Sequence, residues 1–119
     1  MEAEVKTITI NGIDYVQKDS TVKEEIVENY VIVRTESAGV HAGEIVSKNG
    51  VEIKLKNARR LWYWDGAASL SQLAVDGVSK PENCKFPCEV SEIFLRWIEI
   101  IPCTKTAIES IKGVKIWKR

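Results

Sequence analysis

Apolar and polar residues alternate along two short segments near the start of the chain, residues 5–10 and 13–16. Asn11-Gly12 separates them, and this pair favours a two-residue hairpin turn because both turn positions need a positive φ. The pattern therefore predicts an N-terminal β-hairpin extension within residues 1–20. Residues 21–29 are polar and acidic, without a sustained apolar period, and are predicted to form a linker.

The next part of the chain predicts a series of short strands joined by tight turns. The predicted strands cover residues 30–35, 40–47, 51–56, 61–64, 93–101 and 114–117. Turns are predicted at residues 36–39, which end in Gly39, and at Lys48-Asn49-Gly50. Consecutive strands with hairpin turns form antiparallel pairs, so we expect a small, bent antiparallel β-sheet.

Two segments change to the period of a helix and carry helix start signals. Ser69 followed by Gln72 fits a capping box, and Gly77 can supply the left-handed residue that ends the helix. Thr104 can cap a second short helix, which Gly113 would end. The sequence thus predicts an α+β fold with two short helices, in one domain over residues 30–119.

Composition and charge narrow the function. Residues 1–29 hold three lysines and seven acidic residues, whereas the rest of the chain has 14 basic and 10 acidic residues. Such a mild excess argues against stable duplex DNA binding and suits a pocket for one or a few phosphates. No apolar run approaches the roughly 18 residues of a membrane span, and the acidic N-terminus lacks signal-peptide features. We therefore expect a cytoplasmic protein without a membrane partner.

Three cysteines, an odd number, indicate reduced thiols instead of a disulfide framework. Cys84, Cys88, Cys103 and His41 could in principle form a Cys3His zinc site. The Cys-x3-Cys spacing is loose and the other two ligands are distant in sequence, so no metal site is predicted.

The most informative segment is Arg59-Arg60-Leu61-Trp62-Tyr63-Trp64. In a strand, Arg60, Trp62 and Trp64 share one face, while Arg59, Leu61 and Tyr63 share the other. Flat rings beside a guanidinium can hold a nucleotide's base and phosphate together. The alternative is that the rings pack in the core and the arginines are solvated.

Weaker candidates surround this segment. Gly66-Ala67-Ala68-Ser69 precedes a helix, where exposed amides can bind an anion, although tight packing also explains the small residues. Arg34 and Arg96 could contact a ligand or form ion pairs with Glu99 or Glu44. Phe86 lies in an irregular loop, and Lys115 alternates with apolar residues on the last predicted strand.

The sequence contains no credible catalytic apparatus. The serines lack a Gly-x-Ser-x-Gly elbow, and Asp65 and Asp76 are not spaced like an acid–base pair. Magnesium ligands and a lysine for phosphoryl transfer are also missing from the pattern. We therefore expect a protein that is not an enzyme and needs no cofactor.

Four segments resemble a phage and prophage family, the Thoeris anti-defence proteins of the first type. These segments are residues 30–43, 57–74, 76–81 and 98–102. The resemblance implies a non-catalytic sponge that binds cyclic ADP-ribose isomers (glycocyclic ADP-ribose) and blocks Thoeris anti-phage defence in the host bacterial cytoplasm. It also implies a homodimer or higher homo-oligomer with pockets at the subunit interface, and cyclic oligonucleotides as further ligands.

The predicted ligand-binding residues combine the matching motifs with the weaker candidates: Arg34, Arg59, Arg60, Trp62, Trp64, Gly66, Phe86, Arg96 and Lys115. Three other functions fit the same residues. These are a structural or interaction module of a phage, a single-stranded nucleic-acid binder that uses the aromatic strand, and an enzyme that cleaves the cyclic signal.

Overall fold

The computed structural model describes residues 26–118, so the predicted hairpin within residues 1–20 lies outside the described residues. Four strands, two α-helices and one 3₁₀ turn follow one another along the chain. They are β1 (Ile26–Thr35), β2 (Val40–Asn49), β3 (Glu52–Arg60), α1 (Leu70–Asp76), the 3₁₀ turn (Pro81–Asn83), β4 (Val90–Thr104) and α2 (Lys105–Gly113).

The four strands form one antiparallel sheet that closes on itself. β1 pairs with both β2 and β4, and β3 pairs with the same two neighbours, so each strand has a partner on either side. The predicted α+β fold with a bent antiparallel sheet and two short helices is confirmed. Closure satisfies the backbone donors and acceptors that an edge strand would leave unpaired.

Two hydrophobic clusters lie on opposite faces of the sheet, because successive residues of a strand point in opposite directions. Val31 and Val33 of β1 pack with Ile53 and Leu55 of β3 and with Leu95 of β4. The intervening Ile32 belongs to the second cluster, where it packs with side chains of both helices, among them Leu73, Ala74, Ala107 and Ile111. One layer of the domain is therefore the interior of the closed sheet, and the other is the contact between sheet and helices.

The predicted helix caps are confirmed. The Ser69 hydroxyl accepts a hydrogen bond from the Gln72 amide at 3.2 Å, and the Gln72 side chain accepts one from the Ala68 amide at 2.7 Å. Gly77 ends α1 with φ of 76°. Thr104 caps α2 by accepting from the Ala107 amide and donates its hydroxyl hydrogen to the Val75 carbonyl, which ties the two helices together.

Several predicted boundaries differ from the structure. The strand predicted over residues 93–101 is longer and forms β4, Val90–Thr104, and the strand predicted over 40–47 continues to Asn49. β1 begins at Ile26, inside the predicted linker, because this end of the strand pairs with β4 at Thr104. The predicted strands 51–56 and 61–64 are replaced by one strand that runs to Arg60 through a bulge at Asn57. The predicted last strand, 114–117, is reduced to a single bridge between Ile116 and Phe86.

Neither helix of the described residues has the length and apolar character needed to cross a membrane.

Candidate ligand-binding site

The turn between β1 and β2 forms one wall of the candidate site. The Thr35 hydroxyl donates to the Gly39 carbonyl at 2.7 Å and accepts from the Ala38 amide at 2.8 Å. Gly39 has φ of 84°, a conformation that glycine adopts without steric cost. His41 Nε2 lies 2.9 Å from the Ala38 carbonyl, which accepts its hydrogen. The turn is thus held at both ends by buried side chains.

His41 itself is buried, and this burial lowers its pKa from the usual value near 6.5; the neighbouring Arg60 charge acts in the same direction. The imidazole is therefore neutral at pH 7, with its proton on the nitrogen that faces Ala38.

The opposite wall is the segment that follows β3. The Leu61 amide donates to the Val40 carbonyl at 2.8 Å, and the Trp62 and Tyr63 amides donate to the Lys85 carbonyl at 3.2 and 3.4 Å. Leu61 is buried against the helices, whereas Arg60 on one side of it and Trp62 on the other are exposed. Backbone pairing fixes this segment, and the buried leucine turns its two neighbours outward.

The two walls enclose a cavity of about 310 Å³, which we call the tryptophan cavity. It is lined by Ser37, Ala38, Gly39, Val40, Arg60, Leu61, Trp62 and Trp64. The Trp62 side chain is 61% exposed, and Trp64 is partly buried against the helix-side cluster. Within residues 26–118, no acidic side chain forms a salt bridge with Arg60. The cavity therefore offers indole surfaces beside a guanidinium whose charge is not neutralised by these residues.

Arg59 is in a different environment from its neighbour Arg60. It is 3% exposed, and its guanidinium donates three hydrogen bonds of 2.7–2.9 Å to the carbonyls of Phe86, Pro87 and Ile111. It also lies 5.5 Å from the centroid of the Phe86 ring, which is fully buried. Burial lowers the pKa of Arg59. Arg59 and Phe86 thus join the 84–89 loop to β3 and α2, and neither of them lines the tryptophan cavity.

Gly66 has a packing role. Its φ is 95°, and a Cβ atom at this position would lie 2.5 Å from the Ser79 amide nitrogen. The Gly66 carbonyl accepts a hydrogen bond from that same amide at 3.2 Å. At the start of α1, the Ala68 amide is occupied by the Gln72 side chain and the Gln72 amide by the Ser69 hydroxyl. Close backbone contact with Ser79 thus explains the glycine at position 66.

The remaining predicted residues lie apart from the tryptophan cavity. Arg34 forms an ion pair with Glu99 at 3.0 Å, and Arg96 lies 3.6 Å from the Glu36 carboxylate. Arg96 lines a cavity of about 220 Å³ on the other side of the β1–β2 turn. Lys115 lines a cavity near the 3₁₀ turn, together with Trp117. Of the nine predicted residues, Arg60, Trp62 and Trp64 are brought together.

A model of a family described as a domain of unknown function (DUF6948) matches residues 28–111. The chain belongs to the DUF6948 family. No curated protein and no solved structure matches the chain. The region matched to DUF6948 contains β2, β3, β4, both walls of the tryptophan cavity and helix α1, whereas Lys115 follows its end.

The cysteines of this DUF6948 domain occupy two kinds of environment. Cys84 and Cys103 are buried, and burial raises the pKa of both thiols, that of Cys103 to about 12. Cys88 is exposed. His41 is directed to the Ala38 carbonyl, and residues 26–118 contain no group of three or more His, Cys, Asp or Glu side chains placed to hold a metal ion.

The sequence did not single out the turn residues as part of a pocket in the DUF6948 domain. The β2–β3 register, in which His41 pairs with Arg60, would have indicated that the turn residues belong to the pocket. This pairing places the turn that precedes His41 beside the aromatic segment that follows Arg60. A register cannot be read from the sequence alone here, because the bulge at Asn57 shifts it.

Proposed function

We propose that this domain is a non-catalytic binding protein that sequesters a cyclic ADP-ribose-type signal. The observation that carries the proposal is the presence of Arg60, Trp62 and Trp64 around one cavity. Indole rings stack on an adenine base, and a guanidinium donates paired hydrogen bonds to a phosphate. An adenine nucleotide contains both groups, a base that can stack on the indole rings and a phosphate that can accept hydrogen bonds from the guanidinium.

Energetics indicate what one copy of the chain can bind. A base stacked on an aromatic side chain contributes about 1–3 kcal/mol, and a hydrogen bond to a charged group contributes about 1.5–3 kcal/mol. Nanomolar affinity requires about 12 kcal/mol net. The cavity, at about 310 Å³, is at the small end of ligand pockets, and Trp62 is largely exposed. We therefore infer that a second copy covers the ligand, in a homodimer or larger homo-oligomer.

The side chains around the cavity support binding without turnover. Of the residues that the structure describes, Ser37 contributes the hydroxyl that lines the tryptophan cavity, and the nearby His41 is neutral, with its Nε2–H donated to the Ala38 carbonyl. A serine nucleophile would need a base within hydrogen-bond reach of its hydroxyl. A sponge of this kind acts where the signal is made, so the proposal places the protein, phage- or prophage-encoded, in the host bacterial cytoplasm.

Isothermal titration with glycocyclic ADP-ribose, followed by mass spectrometry of the ligand released by heating, tests the proposal. We expect tight binding and recovery of the unchanged ligand. Trp62→Ala and Arg60→Ala should each weaken binding about 10- to 100-fold, the equivalent of one stack or one charged contact. The matched controls are Tyr63→Ala, an exposed aromatic beside Lys85, and Arg34→Ala, an exposed arginine paired with Glu99.

Four outcomes would contradict the proposal. A converted product after heating indicates an enzyme. Binding of oligonucleotides with steep salt dependence, in the absence of small-molecule binding, indicates a single-stranded nucleic-acid binder. A stable oligomer that produces no titration heat at micromolar protein indicates an interaction module. Equal losses in the Arg60→Ala and Arg34→Ala variants would remove the tryptophan cavity from the binding site.

A further inference from the structure

Arg60 lines a second cavity in addition to the tryptophan cavity. This cavity has a volume of about 380 Å³, and we call it the Cys88 cavity. Its walls are mostly apolar and come from Ala58, Pro87, Val90 and Ile93, with Cys88 and His41 as polar neighbours. Among residues 26–118, no carboxylate lines this cavity, so these residues offer an anionic ligand no like charge within the lining.

The position of Arg60 between the two cavities follows from the strand. Arg60 is the last residue of β3 and pairs with His41 of β2, while Ala58 pairs with Val90 of β4. Beyond Arg60 the chain leaves the sheet and carries Trp62 and Trp64 along one side. The β3 residues before it and the 87–93 segment form the other side. Arg60 is therefore the residue that the two linings share.

We propose that the Cys88 cavity receives the second half of a dinucleotide-type ligand whose pyrophosphate lies on Arg60. The base stacks in the tryptophan cavity, and a ribose enters the Cys88 cavity, where its carbon faces pack against Pro87 and Val90. The inference rests on the proposed function and adds a second subsite to it. A mononucleotide fills one cavity, whereas a molecule with sugars on both sides of a pyrophosphate fills both.

Cys88 provides a reporter for the second cavity alone. It is exposed, whereas Cys84 and Cys103 are buried and have raised pKa values, so they contain little reactive thiolate at pH 7. N-ethylmaleimide should therefore alkylate Cys88 first in the folded protein. Intact-mass measurement gives the rate, and the denatured protein, in which all three thiols react, is the control for reagent activity.

The experiment compares AMP with ADP-ribose, each at about ten times its dissociation constant as measured by tryptophan fluorescence. Free protein is then about one-eleventh of the total. ADP-ribose should slow alkylation of Cys88 about tenfold, whereas AMP should quench the tryptophans and change the rate less than about twofold. Quenching by ADP-ribose with an unchanged alkylation rate would overturn the second subsite and leave the proposed function standing. Absence of quenching by either compound would overturn the second subsite, and the titration with glycocyclic ADP-ribose decides the proposed function separately.

A pair of variants tests the subsite without the thiol. Val90→Trp fills the Cys88 cavity from its rim, where Val90 is 45% exposed, and Val46→Trp places the same bulk on β2 at a site that is 48% exposed and lines neither cavity. Val90→Trp should weaken ADP-ribose binding about tenfold and leave AMP binding within about twofold. Equal effects on the two ligands, or equal effects of the two variants, would contradict the inference.

Discussion

Two adjacent arginines show how strongly position within a strand decides the role of a side chain. Arg59 and Arg60 have the same donors and the same charge, but strand geometry points them to opposite faces. Arg59 enters the layer between sheet and loop and satisfies three carbonyls there. Arg60 is exposed and lines both cavities. Of these two adjacent arginines, Arg59 is therefore a structural residue and Arg60 is a candidate binding residue.

Arg59→Met should destabilise the protein much more than Arg60→Met. Methionine retains much of the apolar stem but leaves the carbonyls of Phe86, Pro87 and Ile111 without their donor. We expect a loss of about 3 kcal/mol in the free energy of unfolding for Arg59→Met, and less than about 0.5 kcal/mol for Arg60→Met. Urea unfolding followed by circular dichroism measures both. Equal stability of the two variants would show that Arg59 does not hold the 84–89 loop.

At the scale of the element, the irregularity in β3 determines the site. Asn57 has φ of 51°, and the β2–β3 register shifts at this point, between the pairs Ala42–Arg59 and Glu44–Lys56. Gly43 makes room for the bulge, since a Cβ atom there would lie 3.0 Å from the Ala58 Cα. A strand with strict alternation from Ile53 would place Arg59 on the same face as Ile53 and Leu55, and Arg60 on the face of Lys54 and Lys56. The bulge reverses this phase, so that Ala58 joins the cluster of Ile53 and Leu55 and Arg59 turns to the opposite face, where it reaches the Phe86 and Ile111 carbonyls.

Replacing Asn57 tests the bulge. A β-branched residue in the left-handed region is strained by about 1–2 kcal/mol, whereas glycine adopts it freely. Asn57→Val should therefore destabilise the protein by about that amount relative to Asn57→Gly. Both variants lose the 3.4 Å hydrogen bond from Asn57 to Glu44, so the comparison isolates the backbone. Thermal unfolding gives the difference, and if Val proved as stable as Gly at this position, the left-handed conformation would be excluded.

At the scale of the whole molecule, features that depend on short sequence patterns could be predicted, whereas contacts between distant segments could not. The caps at Ser69 and Thr104, the end of α1 at Gly77 and the antiparallel sheet follow from short sequence patterns, and the structure has all of them. Closure of the sheet depends on pairing between β1 and β4, whose residues are about 70 positions apart, and no local pattern encodes that contact. The same limitation hid the burial of Arg59, whose three acceptors lie in distant segments.

The arrangement of the two hydrophobic clusters predicts that the domain unfolds as one unit. Val31 and Ile32 are neighbours on β1 but belong to different clusters, so neither cluster can open without displacing the same strand.

Leu55→Ala in the closed sheet and Leu73→Ala in the helix layer should each lower the free energy of unfolding by about 2–5 kcal/mol, because both side chains are fully buried. In both variants, tryptophan fluorescence and far-ultraviolet circular dichroism should give coincident single transitions. Val46→Ala, at an exposed position, serves as the control and should change stability little. A Leu73→Ala protein that loses its helices first, while the sheet persists to higher denaturant, would mean that the two layers fold independently and that β1 does not couple them.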